Sequence, residues 1–417
     1  MTLLYSEGYR FNFNDNEVVK TGGLSFEVKP QTRARISLNG EFKKKVSGWT
    51  YSAYLNALSP GNYQVELERK GFHPWQKNLR VKKGKVTEAK HVLMVPKETE
   101  LSATKKADSF SFSPDENKLA FRQNQQLQVL NLEEEATKQV QKPTSNIITW
   151  GPESERFLIN ASGTHFVIND QENYEVNLPS NYQKVKFNPD QPTELFYEKD
   201  SKLLKKDYTD KEKATTTIID YLAFDLTSQG ITWLSSEGNI YQSDFTGEVQ
   251  ATLNSEPLSV EEENYQITKT AEKVLILKDE TLHVLTKEGV FKQLASGVKE
   301  LKLSPHHQKV ALNSEHEINV LYLNEQYGQP QREKFDKDFI SRFSQPLEKV
   351  TWFDSHHLIF NLKDSNKIKI SEVDTRSQIN MEDYLDTNFE RWYWNNNQET
   401  IYLLKDNTIY QNSPLEI

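Results

Sequence analysis

The sequence predicts an all-β chain: an eight-bladed β-propeller over residues 96–417 behind a small antiparallel β-sandwich over residues 22–95, with a short leading segment at 1–21. Three observations carry this expectation. Aromatic residues make up 11% of the chain, and they sit in short runs that alternate apolar and polar side chains, as half-buried strands do. Beyond residue 100 one motif recurs eight times at nearly constant spacing, the mark of a repeat architecture. Turn-forming residues, rather than helix caps, separate the runs.

Composition narrows the chemistry. Hydrophobic residues account for 36% of the 417, and the mean hydropathy is -0.75. The 21 Phe, 18 Tyr and 7 Trp offset that low value, because each ring buries a large area. The absence of cysteine excludes a disulfide scaffold, a thiolate metal site and a cysteine nucleophile. No segment approaches the ~20 apolar residues of a membrane helix. Charge is uneven: residues 1–96 carry a net +8 and residues 97–417 a net -17. A basic head on an acidic body points to an anionic partner for the head, unless the two parts simply attract each other.

The first strands follow in order. Leu24-Ser25-Phe26-Glu27-Val28 alternates, as does Ala34-Arg35-Ile36-Ser37-Leu38 before the turn pair Asn39-Gly40. Pro60-Gly61 precedes Tyr63-Gln64-Val65-Glu66-Leu67, and Leu79-Arg80-Val81 runs into the turn at Lys83-Gly84. One face of each strand is apolar and the other charged, which suits two sheets sharing one core.

These segments resemble a PEGA domain. The resemblance is carried by Gly23 to Pro30, Ala34 to Gly40, Leu58 to Leu67 and Lys70 to Phe72, about a fifth of the chain, with Trp75 and Lys77 in the strand that follows. The usual Pro-x-Gly-Ala segment is replaced by Pro30 to Ala34, and the usual Gly-x-Thr-Pro turn by Lys45 to Thr50. The resemblance implies an extracytoplasmic binding or spacer module of a bacterial surface protein. It also implies an N-terminal membrane anchor, with Leu3-Leu4-Tyr5 and Gly8-Tyr9-Arg10 as the stub beyond it.

The repeats are anchored by the last large residue of each innermost strand: Phe112, Trp150, Phe187, Phe224, Ile267, Leu303, Trp352 and Trp394. Gaps of 36 to 49 residues match a four-stranded blade. A second strand begins six to eight residues after each anchor, and a third follows at Leu127, Phe166, Leu203, Ile240, Leu282, Ile318, Ile368 and Ile409. Phe112-Ser113-Pro114-Asp115 followed by Lys118 to Phe121 resembles the blade signature of TolB-like and WD-like propellers. The fifth anchor, Ile267, lacks an aromatic ring and a turn proline, so a seven-bladed ring is the alternative. Too little chain follows Ile409 for a fourth strand, so Glu100 to Thr104 is expected to supply it and to cover an otherwise open edge.

No catalytic residue can be assigned. Gly-x-Ser-x-Gly, Gly-x-Gly-x-x-Gly, Walker, His-Glu-x-x-His and EF-hand patterns are all missing, and no cofactor is implied. His306-His307 and His356-His357 fall in the same turn of two adjacent repeats, where two imidazole pairs could bind Zn²⁺; polar turn residues are the plainer reading. Trp392 and Trp394 alternate with Tyr393 and are expected in the core. Lys43, Lys44, Lys45, Lys82, Lys83 and Lys85 lie in two turns that the sandwich could present together to an anionic envelope polymer or lipid. Such contact would be purely electrostatic, since these turns offer no apolar wedge. An acidic propeller excludes nucleic acid as a partner. The functional expectation is therefore a non-enzymatic surface protein whose propeller face binds a protein or glycan. The alternative is a glycan hydrolase or lyase with carboxylates in the channel.

Overall fold

The computed structural model describes residues 9–12, 17–31, 33–143, 147–169, 172–210 and 215–414. Of the expected stub, Leu3-Leu4-Tyr5 and Gly8 lie outside them, while Tyr9 and Arg10 begin a short strand, Tyr9–Asn12. The chain divides into two compact units: Met1–Ser102 with Lys299–Leu403 and Gln411–Ile417, and Ala103–Val298 with Leu404–Tyr410.

In the first unit, the alternating runs after Thr21 form two sheets. One has three strands in the order Ser52–Leu58, Gly22–Lys29, Val86–Leu93; the other has four, Glu41–Lys45, Arg35–Leu38, Gly61–Glu68, Trp75–Val81. Phe26, Ile36, Leu67, Leu79 and Val92 are fully or almost fully buried in one shared core. Asn39 and Gly40 both take positive φ, 50° and 81°, as a two-residue hairpin turn between twisted strands requires. One expectation needs correction. The layout is not wholly antiparallel, because Gly22–Lys29 pairs parallel with Val86–Leu93. The last strand returns to the first sheet only after the chain has crossed the second, so it arrives in the direction of the first strand.

From residue 101 to 412 the chain forms eight four-stranded sheets. The first seven each take consecutive strands in chain order, all antiparallel in register, from Ser109–Phe112 onward. The fifth repeat, despite its weak anchor, is a full sheet of Tyr265–Lys269, Val274–Lys278, Thr281–Leu285 and Phe291–Ala295. Ile267 serves there because the space it fills is closed by Ala223, Leu234 and Ile276. The eighth sheet is ordered Leu101–Lys106, Thr408–Asn412, Thr400–Lys405, Arg391–Asn395, so the segment before the first repeat is its outer strand, as expected.

Within each unit, apolar packing runs between successive sheets. Val167 and Val176 of the second repeat meet Phe187 and Leu195 of the third, and Val320 and Ile340 of the sixth meet Trp352 and Phe360 of the seventh. Each such side chain removed from water contributes about 1.5–3 kcal/mol. Face-to-face stacking of consecutive four-stranded sheets is the construction of a β-propeller. Two of the tryptophan anchors also tie neighbouring sheets by hydrogen bonds. The Trp352 indole donates to the Lys302 carbonyl at 2.8 Å, and the Trp394 indole to the Phe353 carbonyl at 2.8 Å.

Candidate functional site

The site is built where the N-terminal domain meets the sixth and seventh repeats, all within the first unit. In the strand Trp75–Val81 every second residue is buried, which places Lys77 at an inward position, 1% exposed. A lone ammonium there would be costly, and it is compensated by an ion pair with Glu372. Lys77 also donates to the Asp374 carbonyl at 2.7 Å. Glu372 accepts further bonds from the Trp75 indole at 3.0 Å and from the Asn380 amide side chain at 2.8 Å. Asn380 exchanges two hydrogen bonds with the backbone of Gln76, each 3.0 Å, and Gln329 bonds the backbone of Val86 and Glu88 at 3.0 and 3.1 Å. A buried ion pair and several backbone bonds hold the domain in one orientation on these repeats.

Beside this seam lies a cleft of about 260 Å³, lined among others by Lys90, His91, His306, Lys309, Gln329 and His356. The His91 and His356 rings stack at 3.3 Å between centroids, 7° from parallel. Burial pushes the His356 imidazole down to about 2, with Lys309 and His91 adding repulsion. Burial also draws His91 down, to about 4, although much of its outer surface is open to solvent. Lys309 is buried and lowered to about 8 by desolvation, against a smaller attraction from Asp354. Burial opposes the charge on Asp354, but His357 and the amide of His356 more than reverse this and hold its carboxyl well below the usual range.

The four histidines are placed differently from one another. His306 and His307 are exposed in their turn. His356 faces His91, while the buried His357 gives its Nδ1 to Asp354 at 2.9 Å. Asp354 uses the same carboxylate to cap the turn, accepting from the amides of His356 and His357 at 2.6 and 2.8 Å. Among the described residues no group of three or more His, Asp or Glu is arranged to hold a metal. Trp392 and Trp394 are each 3% exposed, in the core as expected.

The lysines require a correction. Lys43, Lys44 and Lys45 lie in the edge strand Glu41–Lys45, not in a turn, and Lys82, Lys83 and Lys85 follow the opposite edge strand. In the register Arg35 pairs with Lys45 and with Glu68, whereas Val81 pairs with Gly61. The two groups therefore stand three strands apart and about 23 Å apart along the sheet, at opposite corners. Lys43 is also paired with Glu41 at 2.6 Å. Lysines on an exposed edge deter pairing with another sheet, which gives them a structural reason to be there. A second expectation also changes, because Trp49, four residues beyond Lys45, is 92% exposed and supplies an apolar side chain beside the basic edge.

Lys77, His91, Lys309 and Glu372 escaped sequence reading. Lys77 carried a signal, being a charge on the buried side of the alternation Trp75, Lys77, Leu79, Val81. The other three have no such mark.

No family model matches the chain, and no curated protein matches it. Solved structures do. The computationally designed Ika8 protein is 12% identical with a TM-score of 0.50, over 76% of this chain and 100% of that one. The β-propeller domain of Cps50 (Swd1) from Myceliophteria thermophila is 13% identical at 0.43, over 76% and 98%. BamB from Moraxella catarrhalis is 10% identical at 0.46, over 75% and 98%. Identities this low concern the fold alone. The chain has a propeller-type, all-β repeat fold, and that rests on its own stacked four-stranded sheets. Among the described residues no helix is long and apolar enough to cross a membrane.

Proposed function

We propose that this chain is a non-enzymatic binding protein: an eight-bladed propeller bearing a PEGA-like sandwich, held outside the cytoplasm by an N-terminal anchor. A protein or glycan ligand binds at the propeller face, and the basic domain serves as spacer or as a contact to the anionic cell envelope. The observation that carries the binding reading is the cleft at the seam. It is lined mainly by amines, imidazoles and amides, groups that hold a ligand by hydrogen bonds and charge. Two carboxylates, Glu88 and Glu325, also line it, and Glu88 is paired with Lys90 at 3.1 Å; a hydrolase would need two carboxylates free to act as acid and base. The buried Lys77–Glu372 pair supports the same reading, because it fixes the domain and gives the cleft rigid walls. The test is incubation of the full chain with cell-wall and capsule polysaccharides, followed both for retention and for released sugars. Retention without product is expected; released oligosaccharide would favour a glycan hydrolase or lyase.

A further inference from the structure

Lys309 raises a question that the fold does not answer. Its residue is 4% exposed, yet its hydrogen-bond partners are the Ser355 carbonyl at 2.7 Å and Nδ1 of His356 at 3.5 Å. Both are neutral acceptors. The Tyr322 ring lies 5.8 Å from the ammonium. Contrast Lys77, also buried, whose charge is met directly by Glu372. A buried ammonium without a contacting carboxylate is expensive unless an anion arrives from outside. Lys309 lines the open cleft, and so do His91 and His356, two imidazoles that become cations on gaining a proton.

We propose that this cleft binds the oxyanion of an acidic glycan, a sugar carboxylate or sugar phosphate, with Lys309 as its charged anchor, His356 keeping its Nδ1 as acceptor for that ammonium, and His91 taking up a proton as the oxyanion enters. The proposal rests on the binding reading above and names its ligand class. A volume of about 260 Å³ is at the small end of ligand pockets, enough for a single charged sugar.

The charges around the imidazoles agree with this. From the N-terminal domain come Lys29, Glu88 and Lys90; from the sixth repeat, His306, Lys309 and Glu325; from the seventh, Asp354 and His357. Glu399 of the eighth lies within the field of Lys29 and Asp354. Glu88 is engaged by Lys90 at 3.1 Å, and Asp354 by His357. Two of these four carboxylates are thus engaged by cationic or imidazole partners, and Glu325 accepts from the Tyr327 hydroxyl. An incoming oxyanion would favour the protonated His91 and the charged amine alike.

Calorimetric titration of the full chain with inorganic phosphate, glucose 6-phosphate, glucuronate and neutral glucose tests this. Each is run at pH 6 and pH 8, in two buffers with different heats of ionisation. Saturable binding of a sugar acid at pH 6 is expected, weaker by about tenfold at pH 8, where Lys309 is partly neutral and proton uptake by His91 on binding is harder. The heat should differ between buffers, reporting proton uptake. Lys309→Met should abolish binding, whereas Lys43→Gln/Lys44→Gln/Lys45→Gln should leave it unchanged. If Lys309→Met does not fold, His91→Phe at the open rim should still remove much of the buffer dependence. Equal affinity in folded Lys309→Met, heats independent of buffer, or binding of inorganic phosphate with both sugar acids rejected would overturn the proposal. Sugar acids that fail here while polysaccharides are still retained would sink the oxyanion site and leave the binding reading standing.

Discussion

At the scale of single residues, the seam depends on one charge being answered by another. Lys77→Met would strand Glu372 among the remaining donors and is expected to destabilise the first unit by about 3–5 kcal/mol. Lys77→Met combined with Glu372→Leu should recover much of that, since no unpaired charge remains. Urea midpoints of the three variants at pH 7 decide it; a double variant as weak as the single would mean that the pair itself, not the stranded charge, matters. The histidine stack gives a pH prediction. His356 and His91 are held below their ordinary value in the folded chain, so the unfolded chain binds more protons below about pH 6.5. Stability should therefore be complete above that pH and fall on acidification toward pH 4. The loss is on the order of 1 kcal/mol at pH 5, discounted for the open surface of His91. Thermal melts of the unliganded chain should show this, and the slope should shrink in His356→Phe. A flat profile between pH 7 and 5 would contradict it.

At the scale of elements, the eight repeats were legible because each anchor has a job that tolerates few residues. Trp352 fills space between sheets and donates to the Lys302 carbonyl. Trp352→Phe keeps most of the bulk but removes that hydrogen bond between sheets, with an expected cost of about 0.5–1.5 kcal/mol in a urea melt. The outer strand Leu101–Lys106 was legible for a different reason: it precedes the first repeat without belonging to it, and an edge needs covering. A chain beginning at Asp108 should unfold at a lower temperature and aggregate through the exposed strand Thr408–Asn412. Identical melting with and without residues 97–105 would remove that role. The parallel return of Val86–Leu93 was not legible, since strand direction within a sheet depends on the path of the chain and not on alternation.

At the scale of the whole molecule, the contrast between +8 and -17 remains the main long-range feature of the sequence. The register separates the lysines into two corners, so any anionic surface is met by one group at a time. The corner with Lys43, Lys44, Lys45 and the exposed Trp49 has both charge and an apolar side chain. Sedimentation of the full chain with anionic vesicles should show binding that weakens sharply from low to physiological salt, where the Debye length is about 8 Å. Lys43→Gln/Lys44→Gln/Lys45→Gln should remove most of it, and Trp49→Ala should lower what survives at high salt. No pelleting at low salt would leave the domain as a spacer.

The sequence by itself determined most of the strands, the turns between them apart from the one expected at Lys43 to Lys45, the recurrence of four-stranded units and the composite last sheet. These follow from periodicity and turn chemistry, which act between neighbours a few residues apart. Asn39-Gly40, the spacing of the anchors and the burial of Trp392 and Trp394 are of this kind. Only the tertiary structure decided that Lys77 meets Glu372, that His91 stacks on His356, and that Lys309 is buried beside an open cleft. Those pairs lie 295 and 265 residues apart in the chain. No local preference encodes them, because they exist only once the N-terminal domain has docked and its burial has fixed the price of each charge.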